Sequence, residues 1–195
     1  MEDHGATTAR DAISESLYDV DASDPRSELV DRYGLPSADV AQIGRLMRAF
    51  SHLREVESAA SEASQRYMKL SAQDMRAVHY LIVGQNQGEL VTPGMLASHL
   101  RISAASTTKL LNRLEKGGHI VRQVHPTDRR AFAIEVTPET VRSAYETVGR
   151  HQSRRFHAAA RLTGAEREIV IRFLDDMAEE LSLSSADWAG EARSE

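Results

Sequence analysis

A carboxylate and two adjacent guanidiniums stand together in His125-Pro126-Thr127-Asp128-Arg129-Arg130-Ala131. These types suit the recognition of anions rather than acid–base or nucleophilic work. Arginine keeps its charge and presents a planar fork of donors, which a carboxylate can orient. Asp128 can pair with one of the two, or with Arg113, and so turn the other outward. Apolar residues alternate on both sides, with Ile120, Val121 and Val124 before and Phe132, Ile134 and Val136 after. That pattern predicts a β-hairpin with arginines at its tip and Pro126 stiffening the loop.

A second polar constellation precedes it, in the stretch AASTTKLLNRLEKGG from Ala104. Leu110, Leu111 and Leu114 mark the inward face of a helix. Ser106, Thr107, Lys109, Asn112, Arg113 and Lys116 are left outside. Ser103 can cap it, and Gly117-Gly118 ends it. Before it lies a short helix, PGMLASHL, with Thr92 as cap and Pro93 at the first position. The turn between them is Arg101-Ile102-Ser103. A short helix, a tight turn and a second helix form a DNA-docking geometry, in which the second helix enters the major groove. Asparagine can pair with adenine there and arginine with guanine. Small Ala104 and Ala105 would allow close approach. The hairpin then reads as a wing whose arginines reach the minor groove.

The flanking segments must hold these parts in place. Val40, Ile43, Met47, Phe50, Leu53, Val56, Ala60 and Ala63 recur at steps of three or four, which predicts a long helix from a Ser37 cap to about Tyr67. Ser71 and Asp74 form a capping pair for the next helix, whose buried face would hold Met75, Val78, His79, Leu81 and Ile82. After the hairpin, Thr137-Pro138-Glu139 opens a helix with Val141, Ala144, Tyr145, Val148, Gln152 and Phe156 on one face. Thr163 and Glu166 make a capping box for the last helix. Residues 1–36 are acidic, with short helices possible around Ile13, Leu17 and Val20 and around Leu29, Val30, Tyr33 and Leu35.

Composition bounds the rest. The 195 residues contain no cysteine, so disulfides and thiolate chemistry are excluded. No run of about 18 apolar residues predicts a membrane span, and the acidic N-terminus does not read as a signal peptide. A cytoplasmic protein is expected. The net charge of -5 hides a strong asymmetry. Residues 1–40 set three arginines against ten acidic residues, and residues 166–195 three against nine. Residues 101–130 carry seven basic residues against two acidic ones. A basic middle between acidic ends is compatible with nucleic-acid binding, because the local patch governs it.

Residues 71–137 resemble a winged helix of the MarR family. The resemblance rests on LASHLRISAASTTKLLNRLEKGGHIVRQVHPTDRRAFAIEVT, and within it on Leu114, Glu115, Lys116, Gly118, Arg122, Asp128 and Arg130. It implies a mainly α fold with a small β-hairpin wing: a winged helix-turn-helix (71–137) flanked by dimerization helices (37–70 and 138–183). An acidic extension (1–36) and a tail (184–195) complete the chain. It further implies a homodimer on a pseudo-palindromic operator, usually a repressor and often released by a small-molecule effector. The outward helix face and the wing make Ser106, Thr107, Lys109, Asn112, Arg113, Arg129 and Arg130 the DNA-binding set, and the resemblance makes Arg130 the minor-groove residue with Asp128 as its positioning partner. It also implies a ligand pocket between the dimerization helices and the winged domain. Tyr67, Met75, His79 and Tyr80 are its candidate lining, with ordinary packing as the competing reading. The absence of cysteine removes thiol oxidation as a release mechanism.

Two other readings compete: a winged-helix module that binds an acidic protein, and a metal-responsive regulator. The eight histidines are scattered without His-x-x-x-His spacing, so no metal site is expected. No nucleophile–base pair or phosphate-binding glycine loop suggests an enzyme, and no cofactor is expected.

Overall fold

The computed structural model describes residues 20–124 and 132–182. The chain forms two compact units, Met1–Arg76 and Ala77–Glu195. In the first, α1 (Val20–Ser23) leads to a loop and then to α2 (Ser37–Met68), while α3 (Ala72–Asn86) crosses the boundary between units. The second continues with α4 (Pro93–Leu100), α5 (Ala104–Lys116), the hairpin β1 (Ile120–Val124) and β2 (Phe132–Val136), α6 (Pro138–Ala144), α7 (Arg150–Ala160) and α8 (Gly164–Glu180). The described residues are mainly helical with one two-stranded antiparallel sheet.

In the first unit the segment after α1 is a loop and not the short helix that the sequence allowed around Leu29 to Leu35. The Asp24 carboxylate accepts the backbone N–H groups of Glu28 (2.8 Å), Leu29 (3.1 Å) and Val30 (2.9 Å), and the Arg32 guanidinium donates to the Asp24 carbonyl. Those N–H groups are thereby withdrawn from helix formation. The Val30 N–H above all holds the Asp24 carboxyl below the usual aspartate range.

Helix α2 begins one residue earlier than a Ser37 cap would require. Pro36 takes the cap position in extended conformation, and its carbonyl accepts from Asp39 and Val40. Much of the predicted apolar stripe stays exposed, including Ile43, Leu53 and Val56. Ser71 and Asp74 form the expected reciprocal cap: the Ser71 N–H meets Asp74 Oδ2, and the Asp74 N–H meets Ser71 Oγ, each at 3.2 Å.

The core of the second unit is built from leucine, isoleucine, valine and alanine. Ala77, Val78, Leu81 and Ile82 of α3 are buried, as are Leu96 and Leu100 of α4, Leu110, Leu111 and Leu114 of α5, and Ile120, Ala133, Ile134 and Val136 of the hairpin. Helix α4 packs on α5 and β2, and α5 packs on β1. His79, expected on the buried face of α3, is exposed instead. The buried stripe runs through 77, 78, 81 and 82, so position 79 falls beside it. Gly84 admits the segment at Val91, whose Cγ2 would lie 2.5 Å from an added Cβ. The Val91 carbonyl accepts from the Ile134 N–H at 2.9 Å, fastening that segment to the hairpin.

The helical run after the hairpin contains a π-helical turn over Tyr145–Gly149, which periodicity did not predict. Thr147 Oγ1 donates to the carbonyls of Ser143 and Ala144 there, and such back-bonding favours local rewinding. The turn divides the expected single helix into α6 and α7. Beyond it, Phe156 is 73% exposed, and Ile169, Val170, Ile171 and Leu174 of α8 are also exposed.

Candidate nucleic-acid interface

Helix α5 is the centre of the candidate site, and its local sequence explains its placement. Thr92 caps α4 by accepting from the Met95 N–H at 3.4 Å, with Pro93 at the first position. Arg101 ends α4 in the left-handed conformation, and the N–H groups of Arg101 and Ile102 return to the Ser98 and Ala97 carbonyls. Two residues later Ser103 caps α5, accepting from the Ser106 N–H at 3.2 Å. Gly118, at φ +75°, accommodates the exit from α5.

The buried stripe of α5 is Thr107, Leu110, Leu111 and Leu114. This corrects one sequence-based assignment. Thr107 was expected on the outward face, but it is only 2% exposed and its hydroxyl donates to the Ser103 carbonyl at 3.0 Å. It occupies the position one turn before Leu110 and Leu111 and so belongs to the core. Ser106, Lys109, Asn112 and Arg113 are exposed as expected, and so is Thr108, which the sequence reading left out. Helical spacing could have found Thr108, because it lies four residues before Asn112 on the opposite side from the leucines. Ser106 also takes part in the cap, with its hydroxyl 3.0 Å from that of Ser103.

Arg122 of β1 joins the hairpin to α5. Its Nη2 donates to Asn112 Oδ1 at 2.5 Å, and its Nε lies 3.3 Å from Glu115 Oε2. At the other end of β1, His119 Nδ1 lies 3.1 Å from Thr140 Oγ1, and the Thr137 hydroxyl donates to the Gly118 carbonyl at 2.9 Å. These bonds tie the exit of α5 to the start of α6. The wing strands form the expected antiparallel hairpin, with Arg122 opposite Ile134 and Val124 opposite Phe132. Asp128, Arg129 and Arg130 lie outside the described residues.

The four candidate ligand residues are distributed over both units. Tyr67 is exposed on the last turn of α2 and Met75 is half-buried in the first unit. In the second, His79 is exposed and Tyr80 is half-buried, its ring stacked on that of His99 at 4.1 Å. Among the described residues, no cluster of three or more histidines and carboxylates could hold a metal ion. Among them also, no helix is long and apolar enough to cross a membrane.

The order of helices, turn and hairpin defines a winged helix-turn-helix protein. Residues 69–131 match the model of the MarR family. Over 95 residues the chain is 34% identical to a proposed transcriptional regulatory protein for the hcr operon of Thauera aromatica, covering 48% of this chain and 55% of that one. Over 93 residues it is 27% identical to the HTH-type transcriptional repressor YetL of Bacillus subtilis (strain 168), covering 48% and 56%. The chain thus spans about half the length of the curated relatives it matches. Among solved structures, MepR of Staphylococcus aureus in its DNA complex aligns with a TM-score of 0.55 at 18% identity, over 68% of this chain and 97% of that one. MepR bound to ethidium bromide aligns with a TM-score of 0.57 at 18% identity, over 69% and 94%. At this identity the likeness is one of fold. Over residues 69–131 the winged helix-turn-helix of this chain is similar to that of the MarR family.

Proposed function

We propose that the chain is a sequence-specific, double-stranded DNA-binding transcriptional regulator that acts as a homodimer. The observation that carries the reading is the division of α5. Its leucines are buried, while Ser106, Thr108, Lys109, Asn112 and Arg113 face outward on a helix set by a tight turn after α4. Such a helix fits the major groove, where exposed hydrogen-bonding side chains meet base edges and lysine or arginine meets phosphate. Arg129 and Arg130 would extend the contact into the minor groove, with Asp128 orienting them. Two of the similar proteins are named as transcriptional regulators, and one solved neighbour holds DNA.

The exposed apolar side chains of α2, α7 and α8 support the dimer, because isolated chains rarely leave so many uncovered. In this reading 37–70 and 138–183 are dimerization segments around the winged domain, 71–137. Repression released by a small molecule is the mode we propose, with Tyr67, Met75, His79 and Tyr80 as the residues to probe for an effector. Such a regulator would act in the cytoplasm, on the DNA itself, without catalysis.

The test is recovery of bound fragments from sheared genomic DNA at moderate salt. The expected result is a shared pseudo-palindrome with half-sites about one helical turn, roughly 10 bp, apart. Binding that is weak and indifferent to sequence would reject the reading in favour of a module for an acidic protein partner.

A further inference from the structure

The exposed carboxamide of Asn112 is already committed at one end. Its Oδ1 accepts from Arg122 Nη2 at 2.5 Å, while Arg122 Nε lies 3.3 Å from Glu115 Oε2. Asn112 and Glu115 are three residues apart on α5, so they lie on the same edge of the helix. One strand residue therefore spans both. Arg122 shares its strand face with buried Ile120, two residues before it, and only 22% of its side chain is exposed. It is a brace between β1 and α5 rather than a surface charge. A guanidinium carries donors only, so only the oxygen of the amide can face it; the reversed amide would set donor against donor. The orientation of Asn112 follows from this chemistry.

We propose that Arg122 is a positioning residue for base readout. By holding Asn112 Oδ1, it leaves that side chain to read DNA as a donor through Nδ2. The inference rests on the DNA-binding reading above. In the major groove, guanine offers two acceptors, O6 and N7, whereas adenine sets its N7 acceptor beside an N6 donor. An asparagine free at both ends matches adenine bidentately. One whose oxygen is already engaged matches guanine better. Residue type alone therefore points to adenine at the base pair facing Asn112, and the bond to Arg122 turns the preference toward guanine. Glu115 fixes the guanidinium that does so.

The experiment compares the full-length wild type with Arg122→Met, Glu115→Gln, Asn112→Ala and the Arg122→Met/Asn112→Ala double variant on duplexes randomised around the recovered site. Wild type is expected to favour guanine over adenine at one position by about tenfold, the scale of one well-placed base contact. Arg122→Met should move that position toward adenine and leave the other positions unchanged. Glu115→Gln should act in the same direction but less, and it carries the test if Arg122→Met fails to fold. In the Asn112→Ala background, Arg122→Met should have no further effect there. In the absence of DNA, the Asn112 side-chain amide resonances should shift in Arg122→Met. Unchanged resonances, an unchanged base profile in a folded variant, or an equal loss of affinity on every sequence would overturn the inference alone. A wild type without any sequence preference would overturn the DNA-binding reading and this inference with it.

Discussion

Gln85 Oε1 accepts the backbone N–H of Val136 at 3.1 Å and so ties α3 to the far strand of the wing. Gln85→Ala leaves that N–H without its partner and should cost about 1 kcal/mol of stability. Gln85→Glu keeps the acceptor and should cost less. Chemical denaturation of both variants checks this, and equal losses would mean that the acceptor is not what matters.

Thr107 and Asn112 lie on opposite sides of α5 and should respond differently. Thr107→Val keeps the buried shape and loses one hydroxyl bond, so stability should change by no more than about 1 kcal/mol, with DNA binding unaltered. Asn112→Ala should instead relax base preference at one position by about 1–3 kcal/mol. A Thr107→Val variant that folds normally but loses DNA affinity would return Thr107 to the contact face.

The wing arginine is tested through salt. Arg130→Ala should weaken DNA binding and lower the slope of log affinity against log salt by about one unit, as for one lost phosphate or groove charge. An unchanged slope and affinity would remove Arg130 from the contact set.

The apolar faces of α2 and α8 are tested by charge. Leu53→Glu or Leu174→Glu places a carboxylate among side chains that dimer formation would bury. Sedimentation should show a dimeric wild type and a monomeric or weakly associating variant. A monomeric wild type at high concentration would reject the dimer.

The Asp24 loop should be sensitive to acid. Backbone N–H bonds, that of Val30 first, hold the Asp24 carboxyl below its ordinary range. Its folded value is depressed, so its contribution is fully present above the ordinary aspartate range. It is lost as pH falls through the lowered folded value. Hydrogen-exchange protection at Glu28, Leu29 and Val30 should fall in acid, and Asp24→Asn should lose most of that pH dependence. Glu166 follows the same sign, held low mainly by the Thr163 N–H and then by its hydroxyl. Equal protection in acid and at neutral pH would show that the charge on Asp24 does not organise the loop.

The sequence by itself determined the helix-turn-helix, the two strands of the wing and most of the caps. These depend on short-range signals: leucines at helical spacing, Thr92-Pro93, Ser103, Thr163 with Glu166, and the alternation around 120–136. A side chain three or four residues away, or directly across a hairpin, is fixed by local geometry alone. Tertiary structure decided what the local pattern left open. Thr107 is polar, and it is the packing of its helix face against α4 and β1 that encloses it in the core. His79 lies beside an apolar stripe but outside the part that is covered. The loop at Asp24 replaced a weak helix because three N–H groups converge on one carboxylate. The role of Arg122 depends on β1 packing against α5, which brings residue 122 to residues 112 and 115. A contact across that interface has no periodicity in the chain to announce it.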